Sequence, residues 1–213
     1  NIGKLIQNLE ELGIYDNTIL VFLTDNGPQQ NRYKMGLRNK KSSVYGGGVR
    51  VPCLIHYPEK YKEKEEIDLT LAHIDLMPTV LSLCGISDVE HQIDGVNFLS
   101  QEQADHSKII NRTIFFEWGR GFLLKYRNMA ALKGNYKLVG NTDSNSEIEN
   151  FELYNIREDS REEDNIISDK IDLAKELKEG MDKWYEEIIS EKNNRQIFPA
   201  YIGTAYENPV ILN

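Results

Sequence analysis

An aspartate and an asparagine stand side by side where an apolar run ends. The run Thr18–Leu23 is typical of a buried strand, and the polar turn Thr24–Pro28 follows it directly. Asp25 and Asn26 offer one carboxylate and one amide oxygen, which are ligands that Ca²⁺ and Mg²⁺ take in proteins. Two ligands do not complete such a site. Asp-Asn-Gly is also ordinary turn chemistry, so an Asx turn that only closes the strand stays open as an interpretation.

A lysine that precedes a glycine-rich bend is the second candidate. Lys41 comes shortly before Gly46-Gly47-Gly48. A lysine ammonium beside closely approaching backbone suits the binding of an oxyanion. The order differs from that of a Walker phosphate loop, in which the lysine follows the glycines. A solvated lysine ahead of a flexible turn stays open here as well.

The elements around these residues indicate an α/β arrangement. Apolar residues recur on one helical face from Ile2 to Leu12, which predicts a packed helix that Gly13 ends. Thr18–Leu23 predicts a strand covered on both faces of a mostly parallel sheet, and ligands bind beyond the carboxyl ends of such strands. The next predicted strand is Val49–Tyr57, which its proline marks as an edge or irregular strand. A later apolar helix has Asp75 as its expected N-cap.

The second half of the chain predicts an antiparallel sheet crossed by a helix. Short strands separated by turn residues are expected at Ile114–Glu117, Met129–Lys133, Tyr136–Val139 and Glu152–Ile156. Apolar residues then advance by three or four from Ile171 to Ile188, which predicts one long amphipathic helix lying across that sheet. An extended tail is expected after Phe198.

The composition limits the classes of function. The 213 residues are 40% hydrophobic, which is enough for an apolar core. The formal net charge of −9 disfavours nucleic acid and anionic membranes as partners. We find no apolar run that approaches the roughly 20 residues of a membrane-spanning helix. Cys53 and Cys84 are too few for a disulfide framework or a four-thiolate zinc site, and their apolar flanks predict that both are buried.

Taken in order, five segments resemble the carboxyl-terminal half of the sulfatase (arylsulfatase-type) family of the alkaline phosphatase superfamily. The resemblance covers nearly the whole chain. Thr24–Pro28 resembles the family's "DNG" turn, and Leu37–Pro52 is similar to "LRGxKxxxYEGGxRVP". The later matches are His73–Thr79 to "HxDLxPT", Asp94–Leu99 to "DGxSLL", and Leu153–Asn165 to "LYDLxxDPxExxN".

The resemblance implies a role for each candidate residue. Asp25 and Asn26 are implied as metal ligands, for Ca²⁺ in the first place and Mg²⁺ in the second. Lys41 is implied as the catalytic residue that contacts the sulfate group. It is preferred to Lys40 because its spacing to the following tyrosine matches the family pattern. Gly46 stands where the family has glutamate, which puts the local geometry of the loop in question.

The family's nucleophile lies outside the matched segments. It is a formylglycine made from Cys or Ser in a "C/S-x-P-x-R" stretch, and none of the six prolines here has Cys or Ser two positions earlier. We therefore expect a fragment that is inactive alone and whose partner is the missing N-terminal half of the same chain. The resemblance implies that residues 1–110 are the C-terminal part of the sulfatase catalytic α/β domain. Residues 111–213 are then a C-terminal subdomain of antiparallel sheet, long helix and tail.

The implied parent enzyme is a sulfatase that hydrolyses sulfate esters. A sulfated glycan is preferred to a small sulfated molecule as substrate, because Ile202–Pro209 looks like the tails of bacterial sulfatases that act on polysaccharides. A periplasmic or secreted location is expected on the same family habit. Two alternatives stay open, namely a phosphodiesterase or phosphonate hydrolase of the same superfamily and a non-catalytic module that binds sulfated glycans. The sequence upstream of Asn1 would separate the three.

Residues near these segments have structural interpretations. His73 is expected to order Asp75 or the loop below the site. Trp118 and Arg120 are interpreted as a core tryptophan and a surface arginine, with a contact to a sulfated sugar as the alternative. The acidic run Arg157–Asp164 predicts a solvated loop.

Overall fold

The computed structural model describes residues 1–62, 64–87, 90–100, 103–119, 124–141, 143–194, 200–202 and 210–212. The helices are α1 (Ile2–Glu11), α2 (Gly46–Val49), α3 (Leu76–Leu83), α4 (Gln103–Asn111) and α5 (Ile171–Asn194). The strands are β1 (Leu20–Leu23), β2 (Cys53–His56), β3 (Thr113–Glu117), β4 (Arg127–Lys133), β5 (Tyr136–Asn141), β6 (Glu152–Asn155), β7 (Ala200–Ile202) and β8 (Val210–Leu212). Short 3₁₀ turns lie at His73–Asp75, Ile148–Asn150 and Ile167–Lys170.

Strands β3 to β6 form one antiparallel sheet in sequential order. Lys133 pairs with Thr113 on one side and with Tyr136 on the other, across the turn at Gly134. Gly134 has a φ of 55°, a left-handed conformation that glycine adopts without a steric cost. The predicted four-stranded antiparallel sheet is confirmed, with every strand within two residues of its expected bounds.

Helix α5 packs along one face of this sheet, as predicted. Successive strand residues point to opposite faces, so alternate side chains meet the helix. The buried residues of this layer are Met129, Ala131, Leu138, Leu153, Ala174, Leu177 and Met181. Trp184 of α5 stacks on Phe115 of β3 with ring centroids 5.2 Å apart. Burial of these apolar side chains is the main force that holds helix and sheet together.

The other face of the sheet covers the loop that carries Lys41. Three side chains of strands β4, β5 and β6 point away from α5 and pack against Val44 and Tyr45 of that loop. They are Ala130, Val139 and Tyr154. All five side chains are at most 3% exposed. The C-terminal sheet therefore lies between a helix and the candidate loop, and its packing determines where the loop sits.

The strand pair that flanks the loop departs from the prediction of a covered, mostly parallel sheet. Strands β1 and β2 pair antiparallel, with Leu23 opposite Cys53. Phe22 is 46% exposed, and α1 buries none of its residues. The expectation that both elements are covered is wrong for the described residues, because no described layer encloses them. The antiparallel pairing brings the two ends of the long loop between β1 and β2 together.

Two further expectations around β2 are wrong. The predicted strand Val49–Tyr57 begins only at Cys53, because Gly46–Val49 forms the short helix α2. Cys53 and Cys84 are both free and exposed rather than buried. Apolar neighbours in sequence did not predict burial here, since β2 has its only ladder partner in β1 among the described strands.

Asp75 occupies the N-cap position of α3, as predicted, but its side chain makes no capping hydrogen bond to that helix. Its carboxylate instead accepts the N–H groups of Ala72 at 2.8 Å and Val96 at 2.9 Å. Arg112 donates to both of its oxygens at 2.5 Å. The side chain is fully buried, so it ties together three segments that are distant in sequence.

The carboxylate of Asp75 should make stability depend on acidic pH. Burial opposes its ionisation, but Arg112 and the two N–H groups outweigh burial and lower the pKa of Asp75 below its ordinary value. A lowered pKa gives stability that is present above the unfolded value of about 4 and is lost as pH falls through the folded pKa. We expect the urea concentration at the unfolding midpoint of the purified protein to decrease as the pH is lowered through this range. Asp75→Asn should weaken that dependence of the midpoint on pH. Asp68→Asn, which breaks an exposed pair with Arg157, is the control.

The end of the chain differs in part from the expected extended tail. The predicted extended tail contains an antiparallel pair of strands, β7 and β8. Residues 203–209, on which the preference for a glycan substrate partly rested, lie outside the described residues. Within the described parts of the chain, no helix has both the length and the apolar character needed to cross a bilayer.

Candidate active site

Backbone contacts bring the two candidate segments together. The Gly27 N–H donates to the Gly48 carbonyl at 2.8 Å, and the Lys41 N–H donates to the Pro28 carbonyl at 3.1 Å. A Cβ at Gly27 would lie 1.8 Å from the Gly47 carbonyl oxygen, so only glycine permits this approach. The turn that holds Asp25 and the loop that holds Lys41 are therefore direct neighbours.

The three predicted site residues lie on these neighbouring segments with different exposure. Asp25 and Lys41 are exposed, and Asn26 is half-buried. Among the described residues, no carboxylate forms an ion pair with the Lys41 ammonium. An exposed ammonium that no acidic side chain neutralises remains available to an anionic ligand.

His73 supports the turn next to Asp25. Its Nε2 donates to the carbonyl of Thr24 at 2.9 Å, because a carbonyl oxygen can only accept. The imidazole thus contacts the loop below the site, which is one of the two structural roles expected from sequence. The described residues show no hydrogen bond from His73 to the Asp75 side chain.

A cluster of polar side chains clamps the Lys41 loop to the C-terminal sheet. Arg38 donates to the Tyr154 hydroxyl at 2.7 Å and to the Glu162 carbonyl at 2.8 Å. Its guanidinium also lies 4.0 Å from the centre of the Tyr45 ring. The Tyr45 hydroxyl donates to Glu152. Burial, followed by the contact with Glu152, raises the pKa of Tyr45 well above its ordinary value, so the phenol stays a neutral donor.

Glu162 is the buried acid at the centre of this clamp. One carboxylate oxygen accepts the Gly46 N–H at 2.6 Å, and the other accepts the Lys137 ammonium at 2.6 Å. Burial lowers the pKa of Lys137, while Glu162 opposes that shift. Glu162 is 1% exposed, so the expectation that Arg157–Asp164 is solvated throughout is wrong at this residue. A buried carboxylate needs such partners, which explains why it points inward.

The position of Glu162 also relates to Gly46, the residue that stands where the family pattern has glutamate. A Cβ built at Gly46 would lie 3.2 Å from a carboxylate oxygen of Glu162. That contact is tighter than ordinary van der Waals distance, so a side chain at this position would require Glu162 to move. The loop is held here by the hydrogen bond from the backbone N–H of Gly46 to the carboxylate of Glu162, which follows β6 in sequence.

Asn128 joins the Lys41 loop to the end of β3. It lies in a β-bulge of β4 with a φ of 54°, and bulges re-aim side chains at such positions. Its amide nitrogen donates to the Ser42 carbonyl and to the Trp118 carbonyl, both at 3.1 Å. Its amide oxygen accepts the Val44 N–H at 3.2 Å. One side chain thus fixes the backbone on both sides of the gap between loop and sheet.

Sequence reasoning missed the residues that position the loop. No local sequence pattern predicts the roles of these residues, because their contacts often join positions more than a hundred residues apart. They are Arg38, Glu152, Tyr154 and Lys137. The one available signal was the resemblance itself, whose matched segments contain Arg38, Tyr154 and Glu162. Trp118 is 38% exposed rather than a core residue, and Arg120 lies outside the described residues.

Asp25 and Asn26 are the two candidate cation ligands on the turn after β1. Among the described residues, no group of three or more His, Cys, Asp and Glu side chains could hold a metal ion. Asp25 and Asn26 have hard oxygen atoms suited to Ca²⁺, which takes six to eight such ligands. The residues fit part of a calcium site, and its other ligands would have to come from elsewhere.

Comparison with known proteins finds a protein family that these segments resemble. The sequence model of the sulfatase family matches residues 1–86, which include Asp25, Asn26 and Lys41. An endo-4-O-sulfatase of Bacteroides thetaiotaomicron is 33% identical over 97 residues, covering 45% of this chain and 18% of the relative. An N-acetylglucosamine-6-O-sulfatase of the same organism is 29% identical over 202 residues, covering 91% of this chain and 34% of the relative.

The solved structures agree with the sequence matches. The crystal structure of Ps i-CgsB has a TM-score of 0.70 and 26% identity, and the match covers 86% of this chain and 40% of that one. The same protein has been crystallised in complex with k-i-k-neocarrahexaose. These matches relate the chain to the sulfatase family, most directly through residues 1–86. The chain spans well under half the length of each of these relatives.

Proposed function

We propose that the parent protein, meaning the complete natural protein to which these residues belong, hydrolyses sulfate esters of a glycan. The observation that carries this proposal is the direct contact between the Asp25 turn and the Lys41 loop, within the segment that the family model matches. The residues that this chain contributes would bind and orient the ester. The chain alone would be inactive.

Lys41 is the proposed contact to the sulfate group. Negative charge develops on the oxygens around sulfur and on the leaving alkoxide as the ester bond breaks. A fixed ammonium stabilises that charge without the reorganisation that water would need. The contacts of Lys41 and its neighbours with Pro28, Asn128 and Glu162 keep the loop in place before substrate arrives.

Asp25 and Asn26 are the proposed ligands of a calcium ion, with Mg²⁺ fitting less well. When bound, such an ion supplies positive charge that stabilises the sulfate oxygens. The proposed nucleophile is a formylglycine on polypeptide outside this chain, because no proline of this sequence has the required Cys or Ser. The role of this chain's carboxylate and amide is to hold the cation beside the Lys41 loop.

The names of the relatives support a glycan as substrate. Two relatives are sulfatases named for a position of O-sulfation, one of them on N-acetylglucosamine. The structural relative at 26% identity was crystallised with an oligosaccharide. We therefore propose a sulfated polysaccharide or oligosaccharide rather than a small sulfated molecule as the natural substrate.

Release of inorganic sulfate tests the proposed function. The purified parent protein is incubated with carrageenan oligosaccharides, sulfated N-acetylglucosamine and nitrophenyl sulfate, and free sulfate is measured by ion chromatography. We expect sulfate from at least one sugar substrate. Cleavage of bis-nitrophenyl phosphate without any sulfate release would favour a phosphodiesterase. Absence of both activities would favour a non-catalytic module.

A further inference from the structure

A groove lies between the Lys41 loop and the ends of β3 and β4. It encloses about 530 Å³, a size typical of small-molecule sites. One wall comes from the loop and the other from the sheet. The lining residues that matter most are Asn39, Ser42, Ser43, Trp118, Leu124 and Arg127.

The groove combines an aromatic surface with polar and cationic groups. Trp118 is 38% exposed, so part of its ring faces solvent at the groove wall. Arg127 is exposed on the same lining and carries a planar cation that matches oxyanions. Asn39 and the two serines add amide and hydroxyl groups. A sulfated pyranose, which has an apolar C–H face and hydroxyl and sulfate substituents, fits this combination.

The groove is mechanically coupled to the position of Lys41. Asn128 holds the carbonyl of Ser42, which directly follows Lys41, and the carbonyl of Trp118 with one amide group. The Trp118 N–H donates in turn to the Asn128 carbonyl at 3.1 Å. The backbone of Trp118 and the Lys41 loop therefore have a fixed relation. A ligand that contacts Trp118 lies next to the loop that carries the ammonium.

We propose that this groove is a sugar-binding subsite in which Trp118 stacks on a pyranose ring and Arg127 contacts its sulfate or hydroxyl oxygens. The inference rests on the proposed function in one respect, namely that the sugar belongs to the ester that the parent protein cleaves. The subsite would select the glycan, whereas Lys41 would act on any sulfate ester. This places a specificity-determining surface on the C-terminal subdomain.

Binding to sulfated polysaccharides tests the groove without relying on cleavage. The parent protein is run on affinity gels that contain carrageenan, heparin or chondroitin sulfate, each beside its desulfated form. We expect retardation by at least one sulfated polymer. Trp118→Ala should raise the apparent dissociation constant about tenfold, the scale of losing one aromatic contact. Trp118→Phe, which keeps a ring, should retain most of the retardation.

Ile110→Ala is the matched control, since Ile110 is a 56% exposed apolar residue on α4 and is absent from the groove lining. It should behave as the unmodified protein. Equal retardation of the unmodified protein and Trp118→Ala would overturn the subsite, as would no retardation by any of the polymers. Trp118-dependent retardation by a polymer from which no sulfate is released would sustain the subsite and overturn the proposed hydrolysis.

Discussion

Replacing Lys41 with alanine in the parent protein should lower kcat for sulfate release by about 10²-fold or more, the scale of losing one preorganised charge stabiliser. The physical reason is that the ammonium acts on charge that grows as the ester bond breaks. Its loss therefore raises the barrier more than it weakens substrate binding. The measurement is kcat and KM for sulfate release from the sugar substrate that the unmodified protein cleaves.

Lys40→Ala is the closest control that the chain offers. Lys40 is also exposed, carries the same charge and precedes Lys41 directly. We expect its removal to change kcat by less than about twofold, as for an ordinary surface charge whose loss is screened by solvent. A large effect at Lys40 with none at Lys41 would move the sulfate contact to Lys40. Unchanged rates in both variants would remove this loop's lysines from the reaction.

The C-terminal sheet and helix were predictable from local pattern. Short apolar segments bounded by turn residues predicted the strands, and the Gly134–Asn135 turn predicted the pairing of β4 with β5. The helix followed from apolar residues spaced by three or four. These features depend on residues close in sequence, so a single chain contains the necessary information.

The region around β1 and β2 was less predictable because its environment is not local. An apolar run predicts that a strand is buried, but it does not identify the element that packs on it. Phe22 and Cys53 lie exposed in spite of their apolar neighbours. Exposed apolar surface of this kind marks places where protein structure can pack.

The candidate site likewise has features that the sequence predicts and features that only the structure reveals. Asp25, Asn26 and Lys41 were proposed from residue type and from the family resemblance, and their roles stay predictions. The position of the Lys41 loop against the sheet also depends on Glu162 and Asn128, which contact the loop across more than eighty positions of sequence. No periodicity relates such positions. Only the structure identifies which acid among the charged residues after β6 turns inward.

Glu162→Gln should destabilise the parent protein more than any surface charge substitution. The Glu162 and Lys137 side chains are 1% and 3% exposed, so the variant leaves a buried ammonium without its counter-charge. Removing one partner of such a pair costs about 3–5 kcal/mol. The amide also weakens the acceptor that holds the Gly46 N–H, which loosens the Lys41 loop. Urea unfolding followed by circular dichroism measures the change in the free energy of unfolding.

Two further variants separate the buried pair from a general effect of charge. Glu179→Gln breaks the pair with Lys183, whose side chains are 68% and 70% exposed, and should cost less than about 0.5 kcal/mol. Lys137→Met combined with Glu162→Gln should recover part of the lost stability, because the uncompensated charge is gone and an apolar chain of similar length fills the space. If Glu162→Gln costs no more than Glu179→Gln, the buried pair does not anchor the loop. In that case the packing of Val44 and Tyr45 against the sheet is sufficient to hold it.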